Sequence, residues 1–260
     1  MAKKTVTKHL PRGVNIAYED RDIIVVSKPV GLLTIATKDI KENNLYFVIT
    51  DYVKKGNSKS PKRIYLIHRL DRDTSGLVIF AKTKLAQDRL RDNWEKVEQK
   101  YLAVVHDIPE KNSAVLKNLL AANKIHRMYV TKNEEEGKEA ITKYQVLKSK
   151  KEITLMEIQQ FTNLKHQIRV QLAEIEHPIL GDKKYAVDRR GHKELVLHAY
   201  KLTFPHPYNG KEMTVQAQLP EYFEKLVRGS VKKYSPKPEK KEKPEVKQKP
   251  KTEVKEESTK

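Results

Sequence analysis

The sequence predicts an α+β fold, a mostly antiparallel mixed sheet flanked by helices, and three observations carry that expectation. Short apolar runs rich in β-branched residues recur along the chain, bounded by Gly, Pro, Asn or Asp. These runs outnumber the stretches with helical spacing, and neighbouring ones are often joined by short turns. Hydrophobic residues fill 38% of the 260 positions, enough for a core.

Taken in order, residues 22–27 (DIIVVS) read as a strand closed by Lys28-Pro29 and Gly31. Leu45, Val48, Ile49 and Tyr52 have helical spacing. Residues 63–70 (RIYLIHRL) and 77–81 (LVIFA) read as two strands separated by the turn-rich RDTSG. Leu85, Leu90 and Trp94 suggest a looser helix behind a Thr83 cap. Residues 100–105, 140–148 and 154–161 continue the strand pattern. Ile168, Leu172 and Ile175 fall at i, i+4 and i+7, with Thr162 or Asn163 as the start signal of a helix. Asn209-Gly210 predicts a late hairpin, because both residues of the favoured tight turn take positive φ. Pro220 suits the first turn of a short helix ending near Val227.

The chain divides into a basic arm (1–13), one continuous domain (14–229) and a tail (230–260). The tail holds 11 Lys, 6 Glu and 4 Pro with almost no bulky apolar residues, and such a segment is expected to stay disordered. Its charge of +5 leaves +14 of the total +19 on the first 229 residues, so the basic character belongs to the domain. A polyanion is the default partner of such a surface. The absence of cysteine excludes disulfides, thiolate metal sites and a cysteine nucleophile. No apolar run approaches the length of a membrane span, and the N-terminus lacks a secretory h-region. The protein is expected to be cytoplasmic, with no membrane association.

The densest polar cluster beside apolar strands is HRLDRDTSG, residues 68–76. Its composition suits a tight connection as well as a site, and composition alone does not choose. The longer run HRLDRDTSGLVIFAKT (68–83) resembles the signature of the RluA-type pseudouridine synthases, enzymes that isomerise uridine in RNA. Four further segments agree with that family in order. They are YEDRDIIVVSKPVGLLT (18–34), KYLAVV (100–105), KHQIRVQLAEIEHPILGDKKYA (165–186) and LHAYKLTFPHPYNG (197–210).

The resemblance implies the pseudouridine synthase catalytic fold and RNA as the substrate. It makes Asp71 the catalytic carboxylate and Tyr101 an active-site tyrosine that stacks on the target base or assists proton transfer. Arg169 becomes the arginine that pairs with the carboxylate, an arrangement expected to lower the pKa of Asp71 by roughly 1–3 units and keep it ionised. His68, Arg69, Arg72, Lys28, His166 and Gln167 are candidates for RNA contact or loop support. Gly181 and Asp182 read as turn chemistry. Departures from the family lie in Asn163-Leu164, where many members have Gly-Arg, and Gln171, where some have His. Many relatives also carry an S4-type RNA-binding domain ahead of the catalytic one, and none is expected here. The chemistry requires no metal or organic cofactor, and no HExxH, P-loop or GxGxxG occurs. A monomer with no obligatory protein partner is expected. Two readings compete on the same residues: an RNA-binding protein of the same fold without chemistry, and a hydrolase that excises the base.

Overall fold

The structure, a computed structural model, describes residues 10–186 and 192–227. The proposed tail and residues 1–9 of the proposed arm lie outside the described residues. The described residues gather into one compact unit, and Leu10 already packs against its core.

The strands are β1 (Asn15–Glu19), β2 (Ile23–Lys28), β3 (Tyr65–Leu66), β4 (Ser75–Ala81), β5 (Glu98–His106), β6 (Ser113–Ala122), β7 (Met128–Thr131), β8 (Lys138–Lys150), β9 (Ile153–Gln160), β10 (Leu197–Pro205) and β11 (Glu212–Gln216). Helices α1 (Leu45–Lys54), α2 (Lys84–Asp92), α3 (Gln167–Glu174) and α4 (Glu221–Val227) complete the list, with a 3-10 turn at Trp94–Lys96. All eleven strands share one sheet in the order β1-β2-β4-β10-β5-β9-β8-β6-β7, with β11 on β10 and β3 on β4. Among the described residues every strand pair is antiparallel except β4 with β10. The expected α+β architecture is what the chain adopts.

The continuous apolar runs have a simple cause. β2 and β4 are covered on both faces, so neither strand alternates with polar residues. Ile24, Val26, Val78 and Phe80 enter one core with Leu45 and Ile49 of α1 and Leu172 of α3. Ile23, Val25, Leu77 and Ile79 enter the other with Leu90 of α2.

The run 63–70 departs from its expected strand: only Tyr65 and Leu66 pair with β4. The same edge of β4 is taken further along by β10, which pairs with Ser75 and Gly76. Between the two, Ile79 N–H donates to His68 Nε2 at 3.2 Å, so a side chain fills the gap in the ladder. Burial holds the His68 pKa down at about 4, which keeps the ring neutral and able to accept.

Other details also moved. In α2 the Thr83 cap is present and accepts from Ala86 N–H. However, Leu85 is exposed, Trp94 lies in the following turn, and Ala86, Gln87 and Leu90 form the buried face. α3 starts at His166 in a left-handed conformation without a side-chain cap. The expected capping residue Thr162 instead accepts from Ile141 N–H of β8 and donates to Gln167. The hairpin at Asn209-Gly210 forms with a longer connection than a two-residue turn, and only Gly210 has positive φ. β1, β6 and β7, which carry no clear strand pattern in sequence, are partly solvated and held by ladder pairing more than by apolar patterning.

Two glycines separate a close approach from a conformational need. A Cβ on Gly76 would stand 2.2 Å from the Ala199 carbonyl oxygen, with φ at +116. A Cβ on Gly210 (φ +69) would meet nothing. Gly76→Ala is therefore expected to cost about 3 kcal/mol or more in denaturant unfolding, and Gly210→Ala only about 1–2 kcal/mol.

Candidate active site

The segment after β3 leaves the sheet and is clamped from one side. Thr34 Oγ1 donates to Leu70 O at 2.8 Å and accepts from Leu70 N–H. Gly31 N–H donates to Arg72 O at 2.9 Å, and Arg72 Nε returns a bond to Gly31 O. The Lys28 ammonium, 1% exposed, donates to the carbonyls of Pro29, Leu32 and Arg72. These bonds fix the backbone on both sides of Asp71. Lys28 and Arg72 thus have loop-holding geometry, whereas Arg69 is exposed and acts on Asp71 only through its charge.

Asp71 opens into a cavity of about 40 Å³ that Arg69, Tyr101, His166 and Arg169 also line. The structure therefore brings together all three residues expected to be catalytic. Arg169 Nη1 stands 3.7 Å from Asp71 Oδ2. Its other two nitrogens go elsewhere: Nε and Nη2 donate to the two carboxylate oxygens of Asp182 at 2.7 and 2.8 Å. The guanidinium also lies over the Tyr185 ring, 5.3 Å from its centre. Tyr101, 4% exposed, donates its hydroxyl to Gln99 Oε1 at 2.9 Å. His166 Nε2 is 3.8 Å from Asp71, and its Nδ1 is 2.8 Å from the Tyr185 hydroxyl. Gln167 is buried and bonds Thr142, Ile141 O, Thr162 and Leu164 N–H, so its role in the geometry is to hold the start of α3. His68 sits behind the loop, 5.1 Å from the Trp94 ring.

The expected depression of the Asp71 pKa is not what the site produces. Burial pushes it up, and this outweighs the attraction of Arg169, Arg69, Lys28 and Lys165. Arg169 is a weaker partner than the sequence suggested because its fork is committed to Asp182, leaving one nitrogen at a distance beyond a hydrogen bond. Burial and the neighbouring cations Arg169, Lys184 and Lys165 hold His166 near a pKa of about 3, so it faces Asp71 as a neutral ring. Burial, and then the Asp71 charge, pushes the Tyr101 phenol up, so it keeps its proton. Burial lowers Lys28 to about 7 against the attraction of Asp71 and Asp73.

Asp182 does the turn chemistry read from the sequence, accepting from the N–H groups of Lys184 and Tyr185, but its second role, holding the Arg169 fork, was not readable there. Its HPILGD context was visible, but a carboxylate's partner is not readable from spacing. Burial alone would raise its pKa, yet bonds from Arg169 and the N–H groups of Lys184 and Tyr185 carry it below the ordinary value. Its contribution to stability is thus present above the ordinary carboxylate range and lost as pH falls through the depressed value. Asp182→Asn is expected to cost about 3–5 kcal/mol at neutral pH, with the deficit shrinking in acid when unfolding is followed against pH. Asp71 has the opposite sign. Its ionised form is the disfavoured one, so Asp71→Asn is expected to match or exceed the native protein in neutral-pH stability. That excess fades as pH falls through the Asp71 titration.

The arrangement has relatives. Residues 22–174 match the family model described as RNA pseudouridylate synthase. A protein of Aquifex aeolicus named as an uncharacterized RNA pseudouridine synthase is 36% identical over 242 residues, covering 86% of this chain and 74% of that one. Ribosomal large subunit pseudouridine synthase C of Rickettsia bellii is 34% identical, covering 87% and 73%. Dual-specificity RNA pseudouridine synthase RluA of Vibrio cholerae is 31% identical, covering 75% and 78%. Among solved structures, human RNA pseudouridylate synthase domain containing 4 superposes with a TM-score of 0.70 at 25% identity, covering 85% of this chain and 94% of that chain. With the family model spanning more than half of the chain and the fold shared, this chain belongs to the RNA pseudouridylate synthase family, the enzymes that isomerise uridine in RNA to pseudouridine.

Proposed function

We propose that Asp71, Tyr101 and Arg169 carry the isomerisation, acting on accessible uridines of structured ribosomal or transfer RNA. The observation that carries this reading is the convergence of three residues, far apart in sequence, on one cavity beside a basic rim. The reaction breaks the N1–C1′ bond of uridine, joins C1′ to C5, and replaces the C5 hydrogen while N1 gains one. Asp71 is the nucleophile or base of that exchange. A carboxylate whose pKa is raised by burial is a stronger nucleophile and base once ionised, so desolvation serves the chemistry. Arg169, held by Asp182, stands ready to balance charge without fully neutralising Asp71. Tyr101 keeps its proton, which it donates in a hydrogen bond to Gln99, and supplies a ring face to the base, in preference to acting as a base.

A cavity of about 40 Å³ accepts a water but no pyrimidine ring, so the target must widen it on entry. The uridine must also leave its stack, at a cost of a few kcal/mol, which favours loops, bulges and weakly paired stems. Arg69, exposed on the cavity lining, and Lys165, exposed and within electrostatic reach of Asp71, are the proposed contacts to the displaced backbone. Lys28, His68, Arg72, His166 and Gln167 support the loop and the start of α3. The related synthases named for the ribosomal large subunit, and the dual-specificity one, support the substrate class. A monomeric working form in the cytoplasm, needing neither metal nor cofactor, belongs to the same proposal. So does a catalytic domain of residues 14–229 with the flanking segments as accessory RNA-affinity arms.

Mapping pseudouridines transcriptome-wide with and without the gene identifies the target. On that RNA, labelled with tritium at uridine C5, tritium release follows the reaction directly. Asp71→Asn is expected to lower the rate by at least about a thousandfold. Retention of activity would remove Asp71 from the mechanism, and release of free uracil by the native enzyme would make it a hydrolase.

A further inference from the structure

Beside the Asp71 cavity lies a second one, of about 170 Å³, between the Trp94–Lys96 turn, the start of β5 and the end of β9. Gln160 and Asn163 line both, so the two are neighbours that share a wall. Gln99 and Gln160 are directly opposed across β5 and β9, which places their side chains on one face of the sheet. Tyr101, two residues after Gln99, shares that face. Gln99 accepts the Tyr101 hydroxyl with its oxygen. Its NH₂ group, and the side-chain amides of Gln160 and Asn163, have no partner among the described residues. At the rim Phe161 is 56% exposed, while its backbone N–H is pinned to Ile141 O at 3.0 Å.

An exposed aromatic ring on a fixed backbone, next to unpaired amides, is a combination suited to an unstacked nucleobase. The ring supplies a stacking surface, and amides offer a donor and an acceptor to a base edge. We propose that this second cavity seats the base adjacent to the target uridine. Phe161 stacks on it, and Gln99, Gln160 and Asn163 read its edge. Gln99 is then a positioning residue as well: it touches the neighbouring base with its nitrogen and orients the Tyr101 hydroxyl with its oxygen. Occupation of the second cavity is thereby felt at the tyrosine. This proposal rests on the reading of the Asp71 cavity as the place of isomerisation.

The probe is an RNA hairpin whose loop carries the mapped target uridine, with two further versions in which the 5′ or the 3′ neighbour is abasic. KM and kcat are measured by tritium release. Phe161→Ala is expected to raise KM about tenfold on the intact hairpin. On one of the two abasic hairpins the native enzyme is weakened to a similar degree, and Phe161→Ala adds nothing there. Gln99→Leu is expected to lower kcat and to blunt the response to the missing base, a readout that a purely structural glutamine would not move. Equal losses from Phe161→Ala on all three RNAs, or none on any, would overturn the proposal. Asp71→Asn assayed alongside separates the two readings. If it stays active, the assignment of the catalytic cavity fails. If it is inactive while Phe161→Ala ignores the missing base, only the seat for the neighbour fails.

Discussion

One guanidinium shared between two carboxylates is the constraint on which the site depends. Arg169 gives two nitrogens to Asp182 in a buried fork and leaves the third facing Asp71 at 3.7 Å. A free arginine would close on Asp71 and lower its basicity, because a bidentate contact is the geometry a guanidinium prefers. Asp182 prevents that closure. It is itself fixed by the N–H groups of Lys184 and Tyr185, and the Tyr185 ring lies beneath the guanidinium. The site is thus a balance between two helix-and-loop elements, α3 and the segment that follows it.

The loop bearing Asp71 is held by the 28–34 segment with equal economy. Lys28 is a buried cation whose three bonds all go to carbonyl oxygens, so its charge is stabilised by dipoles and by the field of Asp71 and Asp73. Burying a lysine is costly without such partners. Here the burial ties the backbone at Pro29, Leu32 and Arg72 into one unit, and Thr34 completes it at Leu70. The desolvation that raises the Asp71 pKa is a stability penalty, the reverse of the gain that Asp182 draws from its bonds.

The positive field of the domain and the geometry of the cavities meet at the mouth. Arg69 is exposed there, the charge of Lys165 is felt at Asp71, and Asn163-Leu164 lines the Asp71 cavity. Asn163 also lines the amide-rich cavity beside it. A difference at this junction alters the lining of both cavities and leaves Asp71, Tyr101 and Arg169 in place.

Much of this protein is legible in its sequence because the signals are local. Apolar runs located β2, β4, β5, β8 and β9, and Asn209-Gly210 pointed to the β10–β11 hairpin; β2 and β4 are apolar throughout because both of their faces are covered. Helical spacing located α1 and α3, and the Thr83 cap located the start of α2. Ordered motifs brought Asp71, Tyr101 and Arg169 forward before any contact was known. What the tertiary structure decided is non-local. β1, β6 and β7 pair with neighbouring strands of the chain and owe their place to the sheet they extend, and residues 67–70 leave the ladder because β10 competes for the edge of β4. The partner of Arg169, the role of Lys28 as a loop clamp and the upward shift of Asp71 all follow from burial. Burial is a property of how distant segments pack, and residue spacing carries no record of it.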